Sequence, residues 1–369
     1  MRQKMCLFVC TILMICNNSN LLAYSGSDTI PNKVITPIDS NQARTDSSSS
    51  KSQLRLTPAE FKYADNYRYT INGKTPLRET KIETVPALIT GGIVATMFIG
   101  LHEYQANTIW KDKAVKFKIA EDMYQEIYLD KFGHFYGGYL DSYLAREALL
   151  ASGFSDRAAN IWGSVLGLSY QAYIEILDGY GEHWGFSPSD FYADVLGASF
   201  FLAQHYVPYL QNISPKFIYV PGSWTGDADR KGSQMFMDNY SSQVFFFSFN
   251  LGNMLPESWA EHYPKWLQPC VGYRVKNLNQ DFARPHQMPE KFLGRSSNLP
   301  PKGIVRGDCK FLLSADVDLV KLLPDGPPFW NWLKQGLNLV KLPTPTIEFG
   351  EGMKPKFYLF YPFGIKFSF

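Results

Sequence analysis

Cysteine is scarce in this chain, and its placement excludes a class of sites. Of five cysteines in 369 residues, Cys6, Cys10 and Cys16 fall near the N-terminus, leaving Cys270 and Cys309 downstream. Two such thiols make no zinc-type spacing, and they read either as a disulfide of an oxidising compartment or as buried thiols. Paired-histidine metal helices are missing too. His102, His183, His205, His262 and His286 show no ligand spacing, although His183 adjoins the acidic stretch described below and could join a site there. Ser164 lacks the surrounding Gly-x-Ser-x-Gly of a nucleophile elbow, and Gly179-Tyr180-Gly181 lacks the helix and lysine of a phosphate loop. No cofactor is expected. A formal net charge of +2 with no basic cluster leaves no footprint for nucleic acid.

Aromatic residues, by contrast, reach 15% of the chain, which suits an envelope protein with interfacial Tyr and Trp. Residues 1–25 have two early basic residues, an apolar run from Met5 to Cys16, and small residues at Ala23 and Ser25. That is the pattern of a secretory signal peptide, the run being short for a bilayer of about 30 Å. Residues 26–54 are rich in Ser, Asn, Asp, Gln and Thr, with the run SSSSKS, and read as a disordered tether without enough apolar surface to fold. The segment from about 85 to 104, VPALITGGIVATMFIGLHEY, lies at the lower edge of bilayer-spanning length. It could span, lie against a membrane or complete a bundle. Lysines and Trp110 follow it, as at a membrane–water interface or along an amphipathic connector.

The unusual residues concentrate between Asp130 and Gly197. At the helical period, Asp130, His134, Gly138, Asp141 and Ala145 form one stripe, and Gly163, Gly167, Gln171, Glu175 and Asp178 form a second. Asp190, Asp194 and Gly197 form a third, after Ser187, Pro188 and Ser189 as a cap-and-start signal. The remaining faces are apolar, so the polar stripes must face other helices, and their small residues let backbones approach closely. Acids and His134 are thereby expected to meet inside a bundle, where ionised groups must be paired, protonated or metal-bound.

The runs LHEY…W…EIYLDKFGHFYGGY, QAYIEILDG, WGFSPSDFYADVLGA and PKWLQPCVGYRV resemble an uncharacterised family of diderm bacteria described as predicted periplasmic lipoproteins, from about Leu101 to the C-terminus. A fainter likeness, in the DKxxH and acidic pattern alone, is to the VanZ-like family of small membrane proteins. The first resemblance implies no activity, but it marks Asp130, Lys131, His134, Gln171, Glu175, Asp178 and Asp190 as motif positions. Two departures stand out. Asp194 occupies a position where members carry Asn, and Ile15 before Cys16 is too large for a lipobox.

Beyond about Pro208 the period shortens. KFIYV, SQVFFFSFNL, LQPCVGYRV, CKFLLSADVDLV, TPTIEF and KFYLFYPFGIKFSF are aromatic and β-branched, bounded by Pro, Gly and Asn. Alternation of Phe311, Leu313, Ala315, Val317 and Leu319 with mostly polar neighbours predicts a sheet with unlike faces. A short helix is expected from Phe329 to Leu337. The ending at Phe369 looks like the last strand of an outer-membrane barrel or of a soluble sheet, and the strand candidates fall short of the eight in the smallest barrels.

The expected fold is α+β: an apolar bundle of about four helices over residues 55–210, then a β-rich antiparallel region over 211–369. The candidate site is His134, Glu175, Asp178 and Asp190, with Asp130, Lys131, Gln171 and Asp194 around them. For Glu175, Asp178 and Asp190 the alternatives are carboxyls poised for acid–base work or a satisfied network fixing helix register. His134 with Asp130 could ligate a divalent ion together with Glu175 or Asp190, or simply hydrogen-bond a carboxylate. Two functions follow: an exported, membrane-associated envelope component without chemistry, engaging membrane lipid or an envelope protein, or a hydrolase or transferase acting on a lipid or lipid-linked glycan.

Overall fold

A computed structural model describes residues 54–221, 239–276, 278, 307–350 and 354–368. The signal peptide over 1–25 and all but the last residue of the tether over 26–54 lie outside the described residues, as does Phe369.

Helix α1, Thr84–Thr108, has no acidic or basic residue in its first four turns and has apolar side chains around its whole girth. Its most apolar window buries nothing. Its C-terminal half packs on the bundle, Phe98 on Tyr170 and Tyr173 with His102 Nδ1 2.8 Å from the Tyr173 hydroxyl, and its N-cap Glu83 donates its amide to the Ser152 carbonyl. Of the three roles open to this segment, completing a tight bundle is the one the packing does not support.

The tight bundle is α2 (Leu129–Ala151), α3 (Asp156–Asp178) and α4 (Pro188–Tyr206). Caps start the last two. The Ser155 and Ser187 side chains accept from the amides of Ala158 and Asp190, and Pro188 sits where a missing amide costs nothing. Glycines set how close the helices come. A Cβ on Gly197 would strike the Phe135 carbonyl, one on Gly138 the Asp194 backbone, and one on Gly167 the Ser142 backbone. The polar stripes of the three helices therefore face each other almost backbone to backbone.

Among the described residues, seven antiparallel strands follow in simple order, each paired with the next. They are β3 (Ile213–Tyr219), β4 (Gln243–Phe249), β5 (Leu267–Lys276), β6 (Asp308–Val317), β7 (Thr346–Gly350), β8 (Lys356–Phe360) and β9 (Phe363–Ser368). With the helices they make an α+β fold. A small hairpin, β1 (Lys62–Tyr63) and β2 (Asn66–Tyr67), precedes α1 and turns through Ala64 and Asp65 at positive φ. The short helix expected near Phe329 runs Pro328–Leu337.

The sheet does have unlike faces, but not in the usual sense. Phe217, Phe245, Tyr273, Phe311 and Phe349 line up across five strands on one face. On β3 to β5 that face takes the helices, Tyr136 packing on Phe217 and Phe245, and Phe132 on Tyr273. On β6 and β7 it emerges, leaving Phe311 60% and Leu313 51% exposed. The opposite face is buried and mixes an apolar cluster of Val244, Phe246, Cys270, Leu312 and Tyr358 with charged side chains. Lys216 bonds Asp316 at 2.9 Å, Lys276 lies 3.7 Å from Glu348, and Arg274 donates to the Tyr361 hydroxyl at 2.9 Å. Charge goes inside here because a carboxylate meets each of the two lysines and neutral oxygens accept from Arg274, which alternation alone does not reveal. Cys270 sits opposite Ser314 and Cys309 opposite Val275, and no disulfide joins them.

Candidate functional site

Where α2, α3 and α4 meet, His134 stands among carboxylates contributed by all three. Its Nδ1 lies 3.1 Å from Asp194 Oδ1 and 3.7 Å from Glu175 Oε1. Its Nε2 lies 3.7 Å from both Asp130 Oδ1 and Asp190 Oδ1. Asp130 and His134 are one turn apart on α2, Asp190 and Asp194 one turn apart on α4, so two stripes close on one imidazole.

Lys131 holds the other side of the cluster. Its ammonium bridges Asp122 at 2.5 Å, Asp130 at 2.7 Å and Asp190. Ser187 caps α4 and serves the cluster at once: its hydroxyl donates to Asp122 at 2.5 Å, and its amide donates to Glu175 Oε2 at 3.1 Å. The Tyr240 hydroxyl, from the turn before β4, donates to Asp130. Glu175, Asp190 and Asp194 are buried, whereas the His134 side chain keeps 18% of its surface exposed, so the cluster reaches solvent there.

Two of the expected residues are nearby but otherwise engaged. Gln171 donates its amide to Asp141 at 2.6 Å, and Asp178 accepts from the Trp110 indole at 2.5 Å. His183 does not join the cluster; it faces Asp112 at 3.7 Å on the surface, beyond the reach of the bundle's stripes. Asp122 and Tyr240 belong to the network without having been expected. Asp122 precedes the helix in irregular chain, where no period marks it, and Tyr240 arrives from a distant part of the sequence.

Burial and charge work against each other at these groups. Burial pulls the His134 imidazole down, but the carboxylates of Asp190, Asp194 and Asp130 outweigh it and hold the ring well above its ordinary value. Burial pushes Glu175 up to about 8 and Asp178 up to about 7. It also raises Asp194, and raises Asp190 with the help of the Asp130 charge. Asp130 goes the other way despite its burial, because Lys131 and His134 stabilise its charge and Tyr240 donates to it. Such an array can hold protons at neutral pH, orient an imidazole, or hold a cation.

Comparison with known proteins falls on this same stretch. Residues 120–204 match the model of a family described as predicted periplasmic lipoprotein (DUF2279). The matched range contains every cluster residue except Tyr240. It is shorter than the stretch on which the resemblance was drawn, and a likeness to the VanZ-like family is not found. No curated protein and no solved structure matches the chain. The family's description fits an exported protein of the cell envelope, of unknown activity.

Proposed function

We propose that this is an exported envelope protein held at a membrane through α1, working there as a structural or partner-binding component whose surface engages membrane lipid or another envelope protein. The exposure of α1 carries this reading. At a rise of about 1.5 Å per residue its 25 residues are long enough to cross about 30 Å of hydrocarbon. Val85, Leu88, Ile89, Ile93, Val94, Met97 and Ile99 all project into the surroundings. Removing them from water is worth on the order of 10 kcal/mol, since a fully buried side chain of this type gains about 1.5–3 kcal/mol and these are roughly half exposed. Tyr104 near the end of the helix and Trp110, Lys111 and Lys113 just past it stand as an interfacial belt would. The emergent apolar face of β6 and β7 supports the same association.

The test is fractionation of cells making the full chain. Intact protein is expected in the membrane pellet after alkaline washing, and the double variant Ile93→Lys, Met97→Lys in the soluble fraction. Unchanged retention of that variant would defeat the reading. Recovery with inner-membrane markers would favour a spanning α1, and recovery with outer-membrane markers would favour the sheet face.

The partial exposure of His134 beside Glu175 favours a second reading, hydrolysis or transfer on a lipid or lipid-linked glycan, with Glu175 or Asp190 as base. Glu175→Gln distinguishes the two. Normal accumulation with a lost cellular phenotype favours chemistry, whereas failure to accumulate favours packing.

A further inference from the structure

Lys131 neutralises only one side of the cluster. Asp122, Asp130 and Asp190 share its ammonium, but Glu175 and Asp194 have the imidazole as their neighbouring cation. Asp194 is fully buried, yet its Oδ2 has no hydrogen-bond partner among the described residues. A buried carboxylate oxygen left without a partner costs several kcal/mol in a fold that otherwise satisfies its polar groups.

From this geometry we infer that the protein binds one zinc ion through His134 Nδ1, a carboxylate oxygen of Asp194 and Glu175 Oε1. Ligand atoms of the three residues lie within 4.8 Å of one another. The imidazole nitrogen is 3.1 Å from Asp194 Oδ1 and 3.7 Å from Glu175 Oε1. A tetrahedral ion with bonds of about 2.0 Å sets its ligands about 3.3 Å apart, between those two separations. One nitrogen and two oxygens form a donor set that zinc accepts, and three protein ligands leave a fourth position for water or a substrate group.

The surroundings are those of a metal-bound histidine. Its other nitrogen, Nε2, faces the Asp130 and Asp190 carboxylates, which fix the tautomer that offers Nδ1 to the ion. The Ser187 amide holds the far oxygen of Glu175, turning the near one inward. The alternative trio of Asp130, His134 and Asp190 also has its ligand atoms close together, but the Lys131 ammonium already occupies its carboxylates. The site stands under either reading of function, because neither depends on an ion.

Full-length protein, stripped with chelator and titrated with zinc chloride alone, is expected to bind one ion per chain and to melt at a higher temperature when loaded. Asp194→Asn and Glu175→Gln, each confirmed folded by circular dichroism, should weaken binding by about 100-fold or more, because loss of a supporting outer partner alone costs about 10–100-fold. His183→Ala should leave binding unchanged. X-ray absorption should show nitrogen and oxygen neighbours without sulfur. The assignment is overturned if folded wild-type protein takes up no stoichiometric zinc, if both carboxyl variants bind as well as wild type, or if sulfur enters the first shell, which would move the ion to a cysteine. Should either carboxyl variant fail to fold, His134→Gln replaces it with the same expected loss.

Discussion

The bundle and the sheet both bury charge, and they do so in opposite ways. Behind the sheet, Asp316 lies between Lys216 at 2.9 Å and Lys341 at 3.9 Å, and Glu348 answers Lys276. Each of these three lysines has a carboxylate to meet. In the bundle, five carboxylates surround one lysine and one histidine. Matched burial holds an architecture together, while an excess of one sign leaves the protein with something still to bind, a proton or a cation. The glycine contacts at Gly138, Gly167 and Gly197 tell the same story from the backbone side. They let three helices converge on the bundle's imidazole, whereas in the sheet Gly272 makes room for a side chain, the Phe246 ring, and not for another backbone.

That contrast can be broken most forcefully from the sheet side. Asp316→Asn strands Lys216 and Lys341, both buried, and should cost about 3–5 kcal/mol in urea unfolding, as loss of one partner of a buried pair does. A loss under about 1 kcal/mol would mean that the sheet's charges are not truly matched. Next comes the backbone approach that builds the cluster. Gly197→Ala places a methyl against the Phe135 carbonyl, which cannot swing aside as a side chain could, and should cost about 1–3 kcal/mol in the same measurement.

A smaller effect, of a sign opposite to the first, is expected at the rim of the bundle's acidic stripe. Burial pushes Asp141 up to about 7. A carboxyl raised in the folded state contributes its stability while protonated, fully below about pH 4, and loses it as the pH climbs through about 7. Asp141→Asn should therefore raise the melting midpoint at pH 8 and leave it nearly unchanged at pH 4. A midpoint that falls at pH 8 would place Asp141 among matched charges like those of the sheet. Smallest of all is the emergent apolar face. Phe311→Ser with Leu313→Ser should alter unfolding by about 0.5 kcal/mol or less, as exposed positions do, yet lower membrane recovery if that face meets lipid.

The stripes were legible because a helix repeats: Asp130 with His134, and Asp190 with Asp194, announce a shared face at one-turn spacing. Their small neighbours announce close packing by the same logic. Asp122 and Tyr240 carry no such period. One sits in irregular chain and the other is brought in by the sheet, so only three-dimensional proximity reveals them. Alternation along β6 likewise foretold two unlike faces without saying which one would be hidden, because the matching charges lie on other strands and in a later loop.

What this chain's sequence determines by itself is periodicity: three helices with acidic, small-residue stripes, an unbroken apolar helix before them, and alternating strands after. Those follow from local geometry, which repeats every few residues. Which carboxylates the lysine neutralises, which pair is left to the imidazole, and which face of the sheet hides its charge were decided only by tertiary structure. Electrostatic balance depends on distances between side chains far apart in the chain, and no local pattern encodes those distances.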